Sequence, residues 1–280
     1  MIIGFKDHDR LLYHYTRLDT ARNYILKDWT LRMSSFRGTN DPKETKTWVF
    51  SLESNEHRDL AKYDLFELSE RYSNKVKDNC RVICFCRDSE PLTGIHLNDI
   101  AKRGFAKPRM WAQYGDAHKG VCLAFDREKL IEKVAEACAN AVGIYYGNVT
   151  YRDRGLLPRL DEGHYSIDVD YIEKHGFETF WKTHLDQYHH RLLFEKMEDW
   201  KDEREYRFVT VFPEPQEVFV DIRECLVGVL FGDAVDHDES EAVIDMLIDT
   251  DVKMQGMQWN NCGPWYDYGS LRYGKKSRSS

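Results

Sequence analysis

Five consecutive residues, Glu203-Arg204-Glu205-Tyr206-Arg207, concentrate more chemistry than any other stretch of the chain. They open Tyr206-Arg-Phe-Val-Thr-Val-Phe212, an aromatic and β-branched run that predicts a strand. If the extended conformation already begins at Glu203, the period of two places Glu203, Glu205 and Arg207 on one face. Two readings are open. In the first, this is a solvated strand entry where Arg207 pairs with Glu205, a weak and common arrangement. In the second, the guanidinium keeps a carboxylate ionised and ready for a reaction.

A candidate imidazole lies far upstream. Leu11-Leu-Tyr-His-Tyr-Thr16 predicts a short strand, and Leu18, Ala21, Ile25 and Leu26 follow at helical spacing. Thr16 with Asp19 resembles a capping box, so the strand should turn into a helix at Thr16. His14, Tyr15 and Thr16 would then sit where ligands, anionic ones especially, often bind. The alternative for His14 is a core histidine with its hydrogen bonds satisfied. Asn40-Asp41-Pro42 is a turn signal, since Asx side chains bond the local backbone and Pro fixes φ. Met110-Trp-Ala-Gln-Tyr114 reads as a short helix stopped near Gly120, with Trp111 in the core and Tyr114 and His118 free to face a cleft.

These groups need elements to hold them. Asp59–Val76, Arg127–Ala141, most of Ile167–Trp200 with a break at Gly176, and Asp238–Ile248 are expected to be helical. Strands are expected at Cys80–Cys86, Val121–Phe125, Ile144–Tyr151, Arg204–Phe212, Val218–Val220, Leu226–Phe231 and Val252–Met257, the last closing the fold; Thr47–Leu52 is strand or helix. Asp88–Lys107 reads as a long polar loop, a candidate lid. The pattern is α+β, mixed sheets with flanking helices, without a regular βαβ repeat. Residues 1–273 are expected to form a single domain and 274–280 a disordered tail.

Composition narrows the function classes. With 280 residues the chain can bury a full core. A net charge of -8 gives no overall attraction to nucleic acid or acidic membranes, though a local basic groove is compatible with it. No apolar run reaches bilayer length, and no secretory signal is legible, so a cytoplasmic protein without membrane contact is expected. Seven cysteines without framework spacing read as free thiols. Cys80, Cys84 and Cys86 share a strand face, but one strand does not wrap a zinc ion, and His184, His189 and His190 lack metal-ligand spacing, so no metal is expected. There is no dinucleotide fingerprint, Walker loop or nucleophile elbow.

Four blocks in order, Leu12-Tyr-His-Tyr-Thr16, Asn40-Asp-Pro42, Met110-Trp-Ala-Gln-Tyr114 with His118-Lys-Gly120, and Trp200 followed by Glu203-Arg-Glu-Tyr-Arg207, resemble the bacterial family labelled domain of unknown function 2971. One departure is Phe36-Arg-Gly-Thr39, where the family more often has a short segment ending in Phe before Asn-Asp-Pro. That pattern is in turn similar to the ADP-ribosyltransferases: an early-strand His, a middle aromatic, and a late Glu-x-Glu whose second Glu is essential. The resemblance implies an ADP-ribosyltransferase-like core and NAD as co-substrate. It implies a toxin or phage-defence effector acting on a nucleic acid (RNA or DNA) or protein acceptor, with an antitoxin protein as a further partner.

In that reading Glu205 faces the positive charge that develops on the ribose and Glu203 orients or deprotonates the acceptor. His14 bonds the adenosine ribose, Tyr15 or Tyr114 stacks on nicotinamide, and Arg207 pairs with Glu205 or meets the pyrophosphate. Thr16 and Asn40 border the same pocket. Two other classes stand beside it: a non-enzymatic interaction module of a defence system, and a metal-independent nuclease using Glu205, His14 and Arg207.

Overall fold

The computed structural model describes residues 10–153 and 163–273; the expected tail lies outside the described residues. A ten-stranded, mixed open sheet organises the molecule. Its strands are β1 (Leu11–Thr16), β2 (Thr30–Ser35), β3 (Cys80–Cys86), β4 (Val121–Asp126), β5 (Gly143–Asn148), β6 (Glu205–Val211), β7 (Val218–Asp221), β8 (Leu226–Phe231), β9 (Lys253–Asn260) and β10 (Gly263–Tyr273). The order is β7-β2-β3-β1-β4-β8-β9-β10, with β6 added to β3 and β5 to β6. Every pairing in it is antiparallel except β8 with β9. The α+β class expected from the sequence is observed.

The pairing of β3 is the feature that makes a site. Along one edge β6 follows it without interruption, from Glu205 opposite Cys86 to Val211 opposite Cys80. The other edge is shared. β2 pairs only with Arg81 and Val82, and β1 only with Cys86. The two strands therefore part like a fork, and Ile83, Cys84 and Phe85 lie in the gap between them. A sheet opened in this way leaves backbone polar groups that side chains must satisfy.

Apolar layers cover both faces. One face holds Leu12, Phe85, Phe125, Phe208 and Val229 under the helices Arg127–Ala137 and His237–Leu247. The other holds Val82 and Val209, covered by Leu65–Asn79 and by Phe180 and Trp181 of Phe177–Leu193. The Leu65–Asn79 helix starts where Asp64 accepts the Phe66 and Glu67 amides, at 2.9 and 3.0 Å. Its buried Ser69 and Ser73 hydroxyls accept the Phe50 and Trp48 amides, so the irregular segment beneath leaves neither donor unpaired. Gly176, at φ +79, divides Val169–His175 from Phe177–Leu193; that left-handed backbone favours glycine.

Several expectations are corrected. Residues 88–107 are no lid: they contain the helical turns His96–Asp99 and Ile100–Lys102, and Arg103, Phe105 and Ala106 are buried. Asp99 accepts the Thr93 and Gly94 amides, and Arg103 pairs with Asp88 at 3.1 Å, so polar side chains fix the segment. Thr16 does not cap a helix; Arg17 holds that position without a side-chain bond, and the helical run that follows takes a π turn at Ala21–Ile25. The expected Asp59–Val76 helix is a 3-10 turn, Leu60–Lys62, followed by Leu65–Asn79. Past Leu193 the expected helix gives way to a two-residue strand, Glu195–Lys196, and a 3-10 turn, Glu198–Glu203. Val252–Met257 is not the last strand, because β9 turns back into β10.

His184 belongs to the packing. Its Nδ1 accepts from the Tyr72 hydroxyl at 2.8 Å and its Nε2 donates to the Gly163 carbonyl at 3.2 Å, a pairing that suits the neutral ring. Burial lowers its pKa to about 4 from an ordinary 6.5. Above pH 6.5 both folded and unfolded chains carry it neutral. As pH falls towards about 4 only the unfolded chain takes up the proton, so stability is lost over that window. Unfolding by urea at pH 7.5 and pH 5 should show a loss of roughly 2 kcal/mol that is absent in His184→Gln. Equal pH dependence in the two proteins would remove His184 as its source.

Candidate functional site

The fork between β1 and β2 opens into a cleft of about 640 Å³, within the range of small-molecule sites. His14, Tyr15, Thr16, Asn40, Tyr114, Glu203 and Glu205 all border it; Arg207 does not. Seven of the eight residues singled out in the sequence thus meet in one place, although they come from four separated stretches.

His14 satisfies the open edge of β3. Its Nδ1 lies 3.0 Å from the Cys84 carbonyl, which can only accept, so Nδ1 carries the proton. Burial lowers the pKa of the ring and keeps it neutral. Nε2 is then an acceptor, and among the described residues it has no hydrogen-bond partner. A ligand hydroxyl is what such an atom accepts.

Glu205 opens β6 and is 3% exposed; Arg207, on the same strand face, is 0% exposed. The guanidinium grips Glu205 through Nε at 2.5 Å and Nη2 at 2.9 Å, reaches Glu44 Oε1 at 2.6 Å and donates Nη1 to the Leu193 carbonyl at 2.7 Å. The expectation that Arg207 meets a pyrophosphate is corrected by this geometry: its donors are spent inside the protein. The expectation of Glu203 on the same strand face is corrected too. Arg204 is left-handed, at φ 45, so the strand starts at Glu205 and Glu203 ends the preceding 3-10 turn.

A lysine reunites the two glutamates. Lys196 Nζ lies 2.8 Å from Glu203 Oε2 and 2.7 Å from Glu205 Oε2, under the ring of Trp200 at 5.2 Å. Burial raises the Glu205 pKa, but Arg207 and Lys196 outweigh it and hold the carboxyl well below its usual range. The carboxylates reciprocate: burial would discharge Lys196, and Glu205 foremost keeps it protonated. Glu203 spends its other oxygen on the Tyr114 hydroxyl, which donates to Oε1 at 2.6 Å; burial and this bond push the phenol pKa up, and Asn40 faces the same hydroxyl. Glu205 keeps its own backbone in place by donating its amide to the Tyr151 hydroxyl at 2.8 Å.

The inner group is therefore Glu44, Glu203 and Glu205 against Lys196 and Arg207, three carboxylates facing two cations. All three carboxylates and Lys196 border the cleft. Lys196 and Glu44 escaped sequence reasoning. For Glu44 a local cue existed, the N3 position after the Asp41-Pro42 helix start, where Asp41 accepts the Lys43 amide at 2.9 Å. Lys196 offers no such cue.

Tyr15 is not an open stacking wall. Its ring meets Trp111 edge-on at 5.0 Å and its hydroxyl donates to the Gly104 carbonyl at 2.7 Å. Tyr114, half-buried and tethered at the hydroxyl, is the aromatic that faces the carboxylates. His118 does not border the cleft; it pairs with Asp233 at 2.9 Å and stacks on Trp111. Residues 116–118 all have positive φ, and a Cβ at Gly232 would lie 2.0 Å from the His118 carbonyl, so this turn is packed too closely for any side chain there.

Among the described residues no group of His, Cys, Asp or Glu is arranged to hold a metal ion, and no helix is long and apolar enough to cross a membrane. All seven cysteines are free.

Residues 110–208 match the model of a family described as a protein of unknown function, DUF2971. The matched stretch carries Tyr114, Lys196, Glu203, Glu205 and Arg207, whereas His14 and Asn40 precede it. No curated protein and no solved structure matches the chain.

Proposed function

We propose that the protein is an ADP-ribosyltransferase that uses NAD as co-substrate, a toxin or phage-defence effector whose reacting carboxylate is Glu205. The observation that carries this reading is the buried Glu205 carboxylate held by Arg207 and Lys196 at the cleft, with the imidazole of His14 lining the same cleft. NAD supplies a glycosidic bond whose rupture leaves positive charge on a ribose carbon. A fixed negative charge stabilises that charge more in the transition state than in the ground state, and burial strengthens it relative to water.

Each side chain then has a task. Glu205, locked by Arg207 and Lys196, holds its charge without having to reorganise. Glu203 is tied by one bond at each oxygen and retains lone pairs to take the acceptor's proton. His14 Nε2 accepts a ribose hydroxyl. Tyr114 offers a ring of fixed orientation against which a nicotinamide can stack. The cleft is large enough for such a substrate and lined by both apolar and polar side chains, as ligand sites commonly are.

The test is direct. The full chain incubated with NAD labelled in its adenosine part, together with RNA, DNA and protein extracts, is expected to release nicotinamide and transfer label to one acceptor class. No nicotinamide release with any acceptor would sink the proposal. Shortened RNA or DNA in the absence of NAD would favour the nuclease instead.

A further inference from the structure

The cleft has a second end, on the β2 side, away from the glutamates. Two large aromatic rings stand exposed there, Tyr24 at 67% and Phe219 at 50%. They come from different elements. Tyr24 lies in the π turn Ala21–Ile25, which buries Ile25 and leaves its neighbour outward while both border the cleft; such turns are frequent at functional sites. Phe219 is the outward residue of β7, between the buried Val218 and Val220. A strand edge facing water ordinarily carries a polar residue at that position. Directly across from Phe219 in register is Arg32, whose guanidinium pairs with Glu217 at 2.6 Å. Asp28 borders the same end.

We propose that this end is a base-binding platform on which a purine stacks against Tyr24 and Phe219, with Asp28 able to accept from the base edge. A flat ring satisfies both aromatic faces and still presents polar edge atoms to Asp28, which an aliphatic side chain would leave unpaired. The platform stands on the two exposed rings and the shared cleft. It rests on the transferase reading only in naming the base as the adenine of NAD, the nicotinamide half then reaching the glutamates.

Stacking on an aromatic side chain is worth enough that alanine in its place weakens binding by about tenfold. Calorimetric titration of the full chain with AMP is expected to show binding that falls about tenfold in Tyr24→Ala and again in Phe219→Ala, with Tyr24→Phe close to wild type. Both positions are exposed, so thermal melts should not move. The two readings separate at this point: AMP binding lost in the alanine variants, in a protein that releases no nicotinamide, keeps the platform and removes the transferase. AMP that does not bind the wild type, binds the alanine variants equally well, or binds no better than UMP overturns the platform.

Discussion

Glu205→Gln is expected to slow nicotinamide release by at least about a hundredfold at saturating NAD, the effect typical of removing one preorganised charge from a transition state. The substitution keeps size and shape. Arg207 retains Glu44 at 2.6 Å and Lys196 retains Glu203 at 2.8 Å, so the fold should survive, and a circular-dichroism melt checks this. NAD binding should change only a few-fold, because the negative charge acts on a cation fully formed only in the transition state. Glu203→Gln should spare NAD binding too, and slow transfer to the acceptor more than release into water. Glu205, with its pKa held low, should not titrate near neutrality. The wild-type rate should therefore show no acid limb from this group between about pH 6.5 and 8. A Glu205→Gln enzyme within threefold of the wild type would reassign Glu205 to structure alone.

The parts of this site legible in the sequence were those with local signatures. A β-branched run announced β6, and charge at its entry announced Glu203, Glu205 and Arg207. His14 stood out because Leu12, Tyr13 and Tyr15 around it read as strand. What the sequence did not show is non-local. The fork exists because β3 meets β1, β2 and β6, strands that enter from distant parts of the chain, and no pattern within Cys80–Cys86 encodes which edge each takes. Lys196 is placed by a two-residue strand parallel to Thr150–Tyr151, too short for any periodicity. Glu44 is buried, a state that composition argues against until Arg207 is known to reach it. The final hairpin was missed for a local reason. Asn261 and Cys262 both take positive φ in its turn, and Cys is not a residue that announces such a turn.

Arg207→Met is expected to destabilise the protein by about 3–5 kcal/mol at neutral pH, because it strands buried carboxylates and not because it removes a favourable pair. Glu44 has Arg207 as its ion-pair partner and is almost fully buried; Glu205 would keep only Lys196. The pH dependence should separate this cause from lost packing. In the wild type, burial pushes the Glu205 pKa up and Arg207 and Lys196 pull it further down. The stability this gives is present above the ordinary carboxylate range and disappears as pH falls through the lowered folded value. In Arg207→Met the Glu205 carboxyl loses the guanidinium that most lowers its pKa, so its pKa should rise and lowering the pH from 7 to 5 should narrow the gap to wild type. Adding Glu44→Gln should recover part of the loss at pH 7, a non-additivity that marks a shared network. Arg207→Lys should recover little, since an ammonium cannot supply the two parallel donors that Glu205 receives together with the donor to Leu193 and the ion pair to Glu44. Urea denaturation of these variants at both pH values measures all of it. An Arg207→Met protein as stable as wild type, or a gap that stays constant with pH, would mean that the cluster is solvated and that Glu205 is not held in the charged form that the proposed chemistry requires.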